Sequence, residues 1–171
     1  MSIAIEIANT IEKAWSSIEP PPHEDMEYFT VGWGKGEREI FLDVKPVDID
    51  RDNERFLVAD ALAEMSPRAT AAYLGPYLMT FFEDLAFQES EGFFSEPMVR
   101  GSVLALLTMP RIWSDVLRPN LSQNCTIALG DAVNYILKSK EILKLNCSQV
   151  RSLERLSRSI ARDIAWRPSP P

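Results

Sequence analysis

Apolar residues return every three or four positions in six stretches of this chain, the period an α-helix imposes on a half-buried face. The last stretch is the clearest. Val150, Leu153, Leu156, Ile160 and Ile164 form one stripe, and Arg151, Arg155, Arg158 and Arg162 lie opposite it. A helix of this kind, predicted over about 148–165, gains its stability by covering its apolar stripe with other elements. The first stretch, Ile7, Ala8, Ile11, Ala14, Trp15 and Ile18, predicts a helix over about 4–18, stopped by Pro20-Pro21-Pro22 because proline removes backbone donors and biases its predecessor away from helix.

Capping residues and prolines punctuate the other stretches. Asn53 is a candidate cap for a helix carrying Phe56, Leu57, Ala61 and Leu62. Ser66-Pro67 combines a capping hydroxyl with proline at the first helical position. It opens a helix carrying Tyr73, Leu74, Tyr77, Leu78, Phe81, Phe82 and Leu85. Pro76 inside that run cannot donate to the Ala72 carbonyl and predicts a kink. Glu96-Pro97 opens a helix through Val103, Leu104 and Leu107, closed by Pro110; a turn around Ile112, Trp113, Val116 and Leu117 runs to Pro119. Ser122 or Asn124 caps a helix with Ile127, Leu129, Val133, Ile136 and Leu137.

Residues 28–44 depart from this pattern. Tyr28–Trp33 and Glu39–Val44 are rich in β-branched and aromatic residues around Gly34-Lys35-Gly36, which predicts a short β-hairpin; a loop followed by a helical turn at Glu37-Arg38-Glu39 is the alternative. With 171 residues, the expected fold is mainly α: a single-domain bundle of about six helices over 1–167, with residues 168–171 a disordered tail.

Composition narrows the chemistry. One histidine excludes a multi-histidine metal site, and two cysteines, Cys125 and Cys147, exclude a disulfide scaffold. Buried structural thiols in a reduced, cytoplasmic setting are the expectation. No apolar run approaches a membrane span, and Met1–Glu6 lacks the basic start and apolar core of a secretory signal. Charge is uneven along the chain. Residues 1–96 hold 20 Asp and Glu against 7 Lys and Arg, whereas residues 97–171 hold 5 against 11, within a net charge of -7. Such polarity steers partners and sets their sign without specifying a reaction.

Residues 65–82 read Met-Ser-Pro-Arg-Ala-Thr-Ala-Ala-Tyr-Leu-Gly-Pro-Tyr-Leu-Met-Thr-Phe-Phe. Ser66, Pro67, Ala69, Tyr73, Leu74, Tyr77 and Leu78 resemble the segment L-[ST]-P-x-A-x-x-Y-Y-L-P-x-Y-L of uncharacterised small bacterial proteins. Ala72 stands where the first tyrosine of the pair would be, and the inner proline is shifted by one, at Pro76. Some of those proteins resemble toxin-immunity proteins, so the resemblance implies a partner-binding role and carries no activity.

The candidate sites are weighed on their chemistry. Asp48-Ile49-Asp50-Arg51-Asp52-Asn53-Glu54 starts like a calcium loop, but Asn53 replaces the turn glycine and Ala59 the bidentate glutamate. No metal site is expected there; acids before a helix start also suit its dipole. His23 has no nucleophile signature beside it, and Gly32-Trp33-Gly34-Lys35-Gly36 lacks the spacing of a phosphate loop. The four arginines of the last helix fit a solvated face, pairing with the chain's own acids, a protein partner, or phosphate binding. Without aromatic residues between them, nucleic acid is the least favoured partner.

The reading therefore leans away from an enzyme, with no catalytic residue and no cofactor assigned. It favours a binding protein whose acidic surface (Asp43, Asp48, Asp50, Asp52 and Glu54, with Trp33 as an anchor) docks a basic protein partner such as a cognate toxin. The alternative is a small-molecule pocket or enzyme site at the kinked helix around Tyr73, Pro76 and Tyr77.

Overall fold

The computed structural model describes residues 2–26, 39–53, 56–57, 62, 65–92 and 99–166. Within them the chain is helical and no strand occurs. The elements are α1 (Ile3–Trp15), the single turn α2 (His23–Met26), a 3-10 turn (Pro46–Asp48), α3 (Pro67–Glu91), α4 (Arg100–Leu107), a π-helical turn (Ile112–Leu117) leading into α5 (Arg118–Asn120), α6 (Gln123–Lys138) and α7 (Cys147–Trp166).

Helix α3 is the axis of the fold. Every residue from Ala69 to Phe82 is buried, as expected of a helix that is covered on all sides. Ser66 opens it, its Oγ accepting from the Ala69 amide at 3.2 Å. Gly92 closes it in the left-handed region at φ 65°, donating back to the Gln88 carbonyl. The helix runs through Pro76 as one element. Helix α1 packs along α3 and also against α6, and α6 packs on α7. The buried apolar side chains make one connected core from Ala4 to Ile160.

Two glycines set how closely these helices approach. A methyl at Gly75 would lie 2.5 Å from Cδ1 and Cγ of Trp15, and one at Gly130 would lie 3.2 Å from Ile160. The Trp15 indole is fully buried on α3, and its Nε1 donates to the Ala71 carbonyl at 3.2 Å. The first helix ends at Trp15, short of the expected residue 18. Ser16 Oγ donates to the Lys13 carbonyl at 2.8 Å, and the Ile18 amide donates to the Trp15 carbonyl at 3.0 Å. Ile18 still packs on the core from the turn.

The other expectations sort residue by residue. Ser122, not Asn124, caps α6, accepting from the Cys125 amide at 3.2 Å. Asn146 and Gln149 exchange side chain-to-amide bonds of 2.9 and 3.0 Å, a reciprocal cap that starts α7. The expected second hairpin strand, Glu39–Val44, is instead a helical residue and a turn. Its Phe41 side chain enters the core, and the carbonyls of Phe41 and Val44 are met by the Tyr73 hydroxyl in place of a partner strand. The first strand and its glycine turn lie outside the described residues, as do most of the predicted helix after Asn53, the Glu96-Pro97 start and the 168–171 tail.

Only one of the two thiols is buried. Cys125 lies in the core, its Sγ donating to the Ala14 carbonyl at 3.2 Å, whereas Cys147 is exposed at the start of α7. Burial pushes the Cys125 thiol above its usual range. No described helix is long and apolar enough to cross a membrane.

A carboxylate links three helices at one end of α3. Glu89 accepts from the Ser2 hydroxyl at the head of α1 and from the Tyr135 hydroxyl of α6, the latter at 2.6 Å. Burial, reinforced by the Glu89 hydrogen bond and charge, pushes Tyr135 up to about 12. Because the folded value lies above the ordinary one near 10, this contribution to stability is complete below about pH 10. It disappears as pH rises from there toward 12. Ultraviolet titration near 295 nm should therefore show Tyr135 ionising late, and Glu89→Gln should move its step to lower pH.

Candidate functional site

The acidic residues singled out in the sequence are divided by the fold. Asp43 sits on the turn before the 3-10 element with φ 57°, a conformation that aspartate tolerates better than most side chains. Its Oδ1 is engaged by His23 Nε2 at 2.8 Å. Asp48 ends the 3-10 turn and is exposed. Trp33 and Glu54 lie outside the described residues.

Asp50 and Asp52 are brought to a cleft. An open depression of about 440 Å³ is lined by Asp50, Arg51 and Asp52 from the loop and by Thr80, Glu83 and Asp84 from α3. Among the described residues, four carboxylates thus line one volume with a single cation, and that cation, Arg51, is bound to Glu83. The loop is shaped locally: Asp50 Oδ1 accepts from the Asp52 amide at 3.2 Å in an Asx turn, and both residues are exposed. Thr80 forms part of the wall; its buried Oγ1 has no hydrogen-bond partner among the described residues. Among the described residues no set of three or more His, Cys, Asp or Glu side chains is arranged to hold a metal ion.

Glu83 and Asp84 escaped the sequence reading. They interrupt the apolar run between Phe82 and Leu85, and that interruption is the signal that could have found them. The wall on which they stand is tied to the acidic loop through Tyr73. Its ring is fully buried and stacks edge-on against Phe41 at 5.0 Å. Its hydroxyl donates to the Phe41 carbonyl, with the Val44 carbonyl at 3.1 Å. Burial, with the Asp43 charge adding to it, raises the Tyr73 hydroxyl well above its usual range, so it remains a donor. Tyr77 packs on Phe56 with ring centroids 4.4 Å apart.

No family model, curated protein or solved structure matches this chain. Tyr73, Pro76 and Tyr77, the core of the alternative pocket, are all buried in the body of α3. Both tyrosine hydroxyls point to backbone carbonyls, at Phe41 and Phe56. The pair anchors the segments that lead to the acidic loop.

Proposed function

We propose that this chain is a non-catalytic binding protein that docks a basic protein partner in the acidic cleft of Asp50, Asp52, Glu83 and Asp84. The observation that carries this reading is the convergence of two sequence-distant acidic pairs on one volume. Carboxylates held this close create a local potential that a partner's guanidinium or ammonium group relieves, and such charge also speeds encounter. Loop residues presented on a rigid helix suit recognition. The resemblance of residues 65–82 to small bacterial proteins, some of them like toxin-immunity proteins, supports the concrete form of the reading: neutralisation of a toxin with a basic face.

The test uses an arginine-rich nonapeptide as probe and the double variant Asp50→Asn/Asp52→Asn. Asparagine retains the side-chain acceptor that shapes the loop, so the melting temperature should stay within about 1 °C. Affinity at low salt should fall at least about tenfold, mainly through slower association. Equal binding by the native chain and the variant would remove this cleft as the docking surface.

A further inference from the structure

A second charged surface, of opposite sign, lies where α7 passes the segment that follows α4. Three open depressions run into one another there around Ser159, with volumes of about 320, 430 and 800 Å³. Arg111 and Arg155 line the first, Arg118 and Arg162 the second, and Arg155, Arg158 and Arg162 the third. Among the described residues Asp163 is the sole carboxylate in these walls, and it is held by Arg118 at 2.9 Å. Among the described residues, Arg111, Arg155, Arg158 and Arg162 form no ion pair. The described acids of the N-terminal half therefore leave this stripe available, although the protein as a whole carries a net charge of -7.

Two indoles complete the surface. Trp113 belongs to the π-helical turn, packs partly buried on the core and lines the first two depressions with its remaining surface, while Trp166 ends α7 and lines the second at 86% exposure. The linear sequence shows no aromatic residue between Arg151 and Arg162; Trp166 ends the same helix one turn beyond Arg162, and the fold brings Trp113 from the π-helical turn. From Ser152 to Trp166 the helix advances about 21 Å, with successive arginines of the stripe roughly one turn apart. Rows of guanidinium groups pair with phosphates, and exposed aromatic faces stack on bases that are not already stacked in a duplex. An acidic peptide would satisfy the arginines and leave the indole faces unused.

We infer that the groove between the Ile112–Leu117 turn and α7 binds single-stranded nucleic acid, the arginines taking the phosphates and Trp113 and Trp166 stacking on bases. The site is independent of the acidic cleft, and either can fail without the other. The experiment measures fluorescence anisotropy of a labelled twelve-nucleotide single strand with the full chain between 25 and 200 mM salt. Neutralising four phosphates should give a log–log salt slope near about -3. Arg155→Glu/Arg162→Glu should weaken binding more than about tenfold, and Trp166→Ala at least about fivefold. The charge-matched control Lys13→Glu/Lys140→Glu should retain native affinity, because neither lysine lines the groove. Absence of saturable binding at 25 mM salt would overturn the inference. Equal loss in the control, no effect of Trp166→Ala, or equal competition by polyglutamate would overturn it too, the last in favour of an acidic protein ligand.

Discussion

Trp15→Ala should destabilise the protein by about 3–5 kcal/mol, the range for removing a large buried aromatic side chain. For a chain of this size that lowers the melting temperature by about 6–20 °C. The indole fills the seam between α1 and α3, and its N–H is bonded to the Ala71 carbonyl. Gly75→Ala attacks the same seam from the other side. Alanine is the better helix former by about 1 kcal/mol, yet its methyl would sit 2.5 Å from the indole ring. Overpacking of that kind costs about 1–3 kcal/mol or more, so the single variant should melt lower than the native chain. In the Trp15→Ala background the clash is gone. There Gly75→Ala should be neutral or stabilising, giving a coupling of about 2 kcal/mol in a double-mutant cycle followed by urea denaturation. Additive effects would show that α1 and α3 do not meet at this seam.

Tyr73→Phe is the second large effect. It retains the buried ring against Phe41 and deletes the hydroxyl that serves the Phe41 and Val44 carbonyls. Leaving a buried carbonyl unserved costs about 1–3 kcal/mol. The loss should be local as well as global: amide exchange across residues 41–53 should accelerate more than exchange in the centre of α3. Affinity for the arginine-rich peptide should fall with it, since Asp50 and Asp52 belong to that loop. Uniform acceleration across both regions would mean that Tyr73 stabilises the core without specifically positioning the loop.

The helices were legible because their signals are local. Ser66-Pro67 and Ser122 cap the helices they were expected to cap, and the alternation of arginine and apolar residues marks α7 within a residue or two. Glu39–Val44 misled because its apolar residues were read as strand pleat. Phe41 instead plugs the core from a turn, and a tyrosine hydroxyl replaces the ladder. Ile18 misled for a related reason, continuing the helical period into a turn that buries it by another route. The sites were half legible. Asp50 and Asp52 stood out as a cluster, but Glu83 and Asp84 join them across about thirty residues of chain. Trp113 joins the α7 arginines across a comparable gap. Periodicity reports which face of a helix is wet; it holds no information on which distant residue shares that water.

The uninterrupted burial from Ala69 to Phe82 has an evolutionary corollary. A stretch with no solvent-facing position has little neutral space in which to drift, since each change alters volume against several neighbours at once. Descendants of this fold should diverge fastest in their charged loops and keep the bulk of this stretch. Relatives of this chain are therefore best recognised by that buried segment.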